Sequence, residues 1–395
     1  PIWLRSFTAA MDSLTLPDFI GFRFGSTTAR VFAALIVIVA SLLYMTAVFK
    51  GIGNLLEVFL EIPYKISIVI VFFIVMTYTM VGGFISVVKT DAVQGVVMIV
   101  AAVLLFFGTV NAAGGLGSTT EVRTQPGGEA LFTWGGGVAV PVLIGTMVAG
   151  LIKFAVEPRQ LSRFFALEGE KAIRTGMWVS SLTFAAVFSL LIPIGIYARR
   201  IFPDGIEDTD LVIPNLLAEV FGPGTSAFLL VAMVAAAMSS LDSVLLVLAS
   251  TTERDVVSII RPGRSEEQEM FWTRGWVALF AFITMLISLN PLGGIVELTA
   301  FSGALYGACF FPALVLGLHW KRGSGTAVVG SFVTGIVVLL AWDFAPGSEI
   351  IHEIFPAMLL STGMYVGLAI VTEDTASEAV VALIEEAGRT SSETS

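Results

Sequence analysis

An all-α membrane protein with about ten transmembrane helices is the fold class this sequence predicts, and three observations predict it. Of the 395 residues, 56% are hydrophobic and 13% charged, where a soluble globular domain carries about a quarter charged. The mean hydropathy is +0.91. Ten apolar runs, each near the ~20 residues that a helix needs to cross the hydrocarbon core, recur along the chain with charge, Gly or Pro between them. The same composition argues against other classes. Two His and one Cys (Cys309) leave too little for a zinc site, a disulfide framework or a Cys/His nucleophile. A net charge of −10 without a basic patch argues against a nucleic-acid partner.

The runs fall at 28–49, 63–84, 91–113, 134–156, 175–198, 224–252, 271–289, 295–318, 326–344 and 352–371. The first lies between Arg23 and Lys50, the second between Pro63 and the Gly82-Gly83 pair, and the third opens at Thr90-Asp91. The fourth holds Gly135-Gly136-Gly137, Pro141 and Gly145, so many breakers that an interrupted helix is expected. The fifth sits between Arg174 and Arg199. The sixth is longer than a perpendicular crossing requires, which implies tilt or an extension beyond the bilayer. The last four are separated by Asn290-Pro291, by Lys321-Arg322 and by the Pro346-Gly347 stretch.

Orientation follows from the basic residues between spans. With 1–27 inside, fifteen Lys and Arg fall in inner segments and five in outer ones, with Lys153 inside a span. That asymmetry obeys the positive-inside rule and predicts a multi-pass protein of the cell membrane. The longer outer loops, 114–133 and 199–215, are Gly-rich or acidic. Residues 1–372 read as one membrane domain, and 373–395 as an acidic cytoplasmic tail with a short helix that frays.

Three ionisable residues at or near membrane depth carry the functional information, because each is costly there unless paired or wetted. Asp242 lies inside the sixth run, and helical spacing puts Ser239, Asp242 and Ser243 on one face. Ala236 lies a turn earlier on that face, and Ser240 flanks it. Small residues and serines alone would favour close helix packing. The carboxylate tips the reading toward an oxygen-lined site for a hard cation. Lys153 could pair with an anionic solute, pair with Asp242, or stand in for a cation. Snorkelling to the inner interface is favoured over these, since Pro158 and Arg159 follow closely. Asp91 is either a dipole-complementing acid at a helix start or a carboxylate on a cation exit path.

Tyr78-Thr79-Met80-Val81-Gly82-Gly83-Phe84 followed by Lys89-Thr90-Asp91-Ala92-Val93-Gln94 resembles the glycine-pair signature of the sodium:solute symporter family. Thr15-Leu16-Pro17-Asp18-Phe19, the block 157–164 and the stretch 238–255 resemble further family blocks, in family order, with the nearest similarity to the sodium/proline branch. The resemblance implies a five-plus-five inverted repeat. It also implies that the first span here matches the third helix of the first repeat, so that the chain is N-terminally incomplete. By the same resemblance, the Ala236 carbonyl and the Ser239 and Ser240 hydroxyls fall on a sodium site. Asp91, Asp242 and Ser243 fall on a second sodium site known in some members. Tyr44 and Phe154 match aromatics that line the solute cavity. Gly150 stands where a tryptophan is expected and Lys153 replaces a small residue, which leaves the solute open.

The expected function is therefore sodium-coupled uptake of a small organic solute, an amino acid, carboxylate or similar, by alternating access. Na⁺ is the coupling ion, and the solute and the lipid bilayer are the partners. No enzymatic constellation lies in the spans. A sensor or non-transporting relative, or a proton-coupled permease using Lys153, is the alternative. Gly303 and Gly307 read as a close-packing pair rather than a hinge.

Overall fold

The computed structural model describes residues 15–134, 136–165, 169–320, 322–373 and 382, with backbone alone at 81–86, 88, 162–165, 169 and 170. The tail helix expected within 373–395 lies outside the described residues, as does Gly135. The described residues are helical with no strand among them, and every expected span contains a helix. Eight helices are long and apolar enough to cross a membrane, and Tyr64–Met80 and Val140–Val156 are shorter apolar ones.

The chain begins with α1 (Leu16–Arg23), whose cap is the Thr15 hydroxyl accepting from the Asp18 amide at 3.1 Å. Then α2 (Thr27–Leu60) starts at Ser26, which caps it by accepting from the Ala29 amide at 3.2 Å. Arg30 and Lys50 sit twenty residues apart on α2. At 1.5 Å per residue that is about 30 Å, the thickness of the hydrocarbon core. The two ends of this helix carry different charged clusters. At the Arg30 end, Asp18, Asp255 and Arg254 gather: Arg30 lies 2.9 Å from Asp18 and 2.8 Å from Asp255, and Arg254 lies 3.1 Å from Asp18. At the Lys50 end, the ammonium meets Asp210 at 2.7 Å, and the Asp210 carboxylate also accepts from the Ile295 amide at 3.0 Å. The loop charges assign the Arg30 and Arg254 end to the inside and the Lys50 end to the outside.

The second and third expected spans are one hydrogen-bonded helix, α3 (Tyr64–Ala112), where the sequence reading places an inner connection at 85–90. The helix is not straight. Positions 78 and 90 would lie about 18 Å apart on a straight axis, yet the Tyr78 and Thr90 hydroxyls are 2.9 Å apart. The axis therefore bends sharply in the stretch that contains Gly82-Gly83, a pair of residues of the kind that permits kinks. Two arms result, and the backbone keeps its own hydrogen bonds through the bend, which suits a chain close to lipid.

The fourth span also differs from expectation. Gly136 and Gly137 take positive φ and precede the helix, and α4 (Val140–Val156) runs unbroken past Gly145 and Gly150. The break comes at its end, where Glu157 is extended (ψ 124) ahead of Pro158. Proline disfavours the α conformation in the residue before it. Beyond the break lies α5 (Pro158–Phe165), then α6 (Gly169–Leu191), α7 (Ile194–Ile201) and α8 (Val212–Glu219). The sixth span is α9 (Pro223–Thr252), extended by a π turn at Glu253–Val257. The last four are α10 (Glu266–Ser288), α11 (Ile295–His319), α12 (Gly325–Ala341) and α13 (Ile354–Val371).

Two main apolar clusters share α2. One joins α2 to α4, α11, α12 and α13, and the other joins α2 to α3, α9 and α10. The α4–α11 contact is close because it is made over glycine: a Cβ on Gly303 would stand 3.3 Å from the Ala149 carbonyl. One on Gly307 would stand 3.2 Å from Ile152 and 2.9 Å from Ile354. These glycines serve packing, as their spacing suggests.

Candidate ion and solute site

The candidate site lies where the two clusters meet, between α9 and the two arms of α3 on one side and between α2, α4 and α11 on the other. The bend in α3 builds the first half. Thr79, on the arm before the bend, donates to Asp242 Oδ1 at 2.5 Å. Asp91, on the arm after it, accepts from the Ser239 hydroxyl at 2.6 Å. Ser239 and Asp242 are one turn apart on α9, so residues twelve positions apart on α3 converge on a single turn of its neighbour. Ser243 completes that turn by donating to the Ser239 carbonyl at 3.0 Å.

Asp242 and Thr79 are both 1% exposed. Asp242 Oδ2 has no hydrogen-bond donor, and its electrostatic neighbours include Asp91, a second carboxylate. Two carboxylates, the Thr79, Ser239 and Ser243 hydroxyls and the Ser239 carbonyl thus meet at one turn of α9, and Asp242 forms no ion pair with a cationic side chain among the described residues. Such an arrangement is costly alone and is relieved by a cation that oxygen ligands can hold. Ala236 and Ser240 lie half-exposed on the neighbouring face of α9. Thr79 is a site residue that the sequence alone does not single out, although it lies within the glycine-pair block. A hydroxyl three positions before a glycine pair is the signal that could have found it.

The second half is built around Tyr44 of α2. The Lys153 ammonium stands 4.1 Å from the centroid of the Tyr44 ring, and the Arg159 guanidinium stands 5.1 Å from it. Lys153 is 5% exposed and its Nζ has no hydrogen-bond acceptor. The favoured reading from sequence, a lysine reaching the interface, is therefore wrong. Its stem is enclosed between α4 and α11, with the Gly303 Cβ position 3.4 Å from both Lys153 Cβ and Cδ. Nor is Asp242 bonded to Lys153. Glu157, at the break, lies 3.4 Å from Arg159 and is 3% exposed. Phe154 points elsewhere: it is 44% exposed and its ring lies 5.6 Å from that of Phe184 on α6. The structure thus brings Tyr44 and Lys153 together, and Asp91, Ser239, Asp242 and Ser243 together, while Phe154 belongs to neither group.

Comparison with known proteins places this geometry in context. The profile of the sodium:solute symporter family matches residues 3–337. The osmoregulated proline transporter OpuE of Bacillus subtilis (strain 168) is 31% identical over 369 residues, which cover 91% of this chain and 74% of that protein. The high-affinity proline transporter PutP of the same organism is 30% identical over 368 residues, covering 91% and 77%. Among solved structures, a Na⁺-coupled sialic acid symporter in a substrate-bound outward-open state superposes with a TM-score of 0.78 at 20% identity, over 94% of this chain and 80% of that one. That likeness supports the five-plus-five transporter fold.

Proposed function

The chain belongs to the sodium:solute symporter family, and from that premise we propose that it drives uptake of a small organic solute with sodium bound at the α3–α9 turn. It is a multi-pass protein of the cell membrane with sodium as coupling ion, and its relatives are transporters rather than enzymes. In this reading Asp242 and Asp91 supply the charge that holds Na⁺, and Ser239 and Ser243 supply neutral oxygens. Ala236 and Ser240 line the adjoining face as a second ion position. Tyr44 and Lys153 bound the solute beside it.

The observation that carries the proposal is the buried, unpartnered Oδ2 of Asp242 beside a second carboxylate. A cation between α9 and both arms of α3 favours the arrangement in which these helices lie together. Without it, the two acids repel and the helices separate more easily. Coupling then follows as differential affinity: ion and solute each bind one arrangement better, and each strengthens the other. The test is tracer uptake by the chain in proteoliposomes under an inward sodium gradient, compared with equal potassium. Accumulation that follows sodium supports the reading. Accumulation that ignores sodium and follows a proton gradient refutes it.

A further inference from the structure

Among the described residues, two cationic side chains meet at Tyr44 and one of them has no acceptor. Lys153 and Arg159 both face its ring, at 4.1 and 5.1 Å from the centroid. Among the described residues the ion pair on this side is that of Glu157 with Arg159, at 3.4 Å. Lys153 is left buried, with a cation–π contact and no acceptor on its ammonium. The stem cannot relax toward the interface, because it is held in the close α4–α11 contact over Gly303. Two further hydroxyls on this side, those of Tyr306 and Ser41, are bonded to each other at 2.8 Å. Asp242 accepts from Thr79 and Asp91 from Ser239, and neither carboxylate is bonded to Lys153.

A buried ammonium with no acceptor among the described residues calls for one from a bound molecule. We propose that Lys153 is a specificity-determining residue and that the solute carries a net negative charge, as an organic carboxylate without a compensating ammonium group. A zwitterion would satisfy Lys153 with its carboxylate but would bring an ammonium into a surround of two cations and one carboxylate already engaged. A plain carboxylate balances the site. The inference rests on the transport reading given above, and it adds the class of solute.

The experiment compares pairs of closely similar shape and different charge in the same proteoliposomes: tetrahydrofuran-2-carboxylate against L-proline, and L-lactate against L-alanine. Each is measured as a labelled tracer and as a competitor, with and without a sodium gradient. The expected result on the unmodified chain is sodium-driven uptake of the anionic member of at least one pair, preferred about tenfold or more over its zwitterionic partner. Lys153→Gln should abolish that preference and Lys153→Arg should retain much of it. Preference for the zwitterion, uptake of no member of either pair, or an unchanged ranking in Lys153→Gln would each overturn the proposal. The ranking on the unmodified chain decides the matter even if the variants fail to fold. Sodium-driven uptake of the zwitterions would refute this inference while leaving the sodium-coupled reading intact, and anion uptake that ignores sodium would do the reverse.

Discussion

At the scale of single residues the site is an argument about unpaired oxygen and nitrogen. Asp242 has one oxygen bonded to Thr79 and one without a close donor among the described residues, with the Tyr78 hydroxyl the next polar group toward the carboxylate. Replacing it with Asn keeps the shape and removes the charge. The sodium concentration for half-maximal uptake should then rise by roughly tenfold, since a charged ligand contributes about 1.5–3 kcal/mol more than none. An unchanged sodium dependence would remove Asp242 from the ion site. Asp242→Leu is a different experiment, because it leaves the buried Thr79 hydroxyl without its acceptor, and folded yield in detergent should fall. Ser239→Ala removes a neutral oxygen and the donor to Asp91. It should weaken sodium dependence less than Asp242→Asn and leave the ranking of solutes unchanged. The ionisable residues of this turn were legible in sequence, because an acid inside an apolar run stands out. The role of Thr79 was not, because a threonine in a membrane helix ordinarily satisfies itself on its own backbone.

At the scale of the element, two helices matter most. The bend in α3 brings Thr79 and Asp91 to one turn of α9, and α4 leans on its neighbours through glycine. A Cβ on Gly145 would stand 2.1 Å from His352 Cβ and 2.6 Å from its Cγ. Gly145→Ala should therefore push α4 away from the lead-in to α13 and cost about 1–3 kcal/mol, the usual price of overpacking. Gly150, one and a half turns later, faces nothing within 4 Å. Gly150→Ala should be neutral or stabilising by up to about 1 kcal/mol, from helix propensity alone. Thermal unfolding of the two variants in detergent checks the contrast, and equal melting temperatures would mean that the α4 contact is looser than described. The sequence reading located the breakers of the fourth span and expected the break among them. Packing placed it at Glu157, where a proline follows.

At the scale of the whole molecule, the Arg30 end of α2 is tied by charge. Asp18 and Asp255 are 1% and 0% exposed, and Arg30 reaches both. Thr15 donates to Asp255 at 2.7 Å, so α1, the start of α2 and the end of α9 are joined in one knot. Arg30→Ala would leave two buried carboxylates with Arg254 as their remaining cation among the described residues, and should destabilise by about 3–5 kcal/mol. Arg30→Ala combined with Asp255→Asn should recover part of that loss. A double variant no more stable than the single one would mean that the knot contributes through packing rather than charge.

The all-helical membrane fold and the positions of its apolar runs were legible in sequence, because the bilayer is itself a solvent. Whether a run of residues enters it depends on the summed transfer cost of that run, and the Lys and Arg between runs fix which end stays inside. Family membership was legible for a related reason: local blocks such as 78–94 keep their spacing wherever the chain folds. Tertiary structure alone decided that Lys153 is enclosed rather than snorkelling, that Phe154 turns toward α6, and that Thr79 and Asp91 meet α9 together. Each of these is a contact between groups far apart in the chain, 163 residues for Thr79 and Asp242. Inside lipid, hydrophobicity does not tell one apolar helix face from another. Such pairings are set by close fit and by the need to satisfy buried polar atoms, neither of which can be read along a single strand of letters.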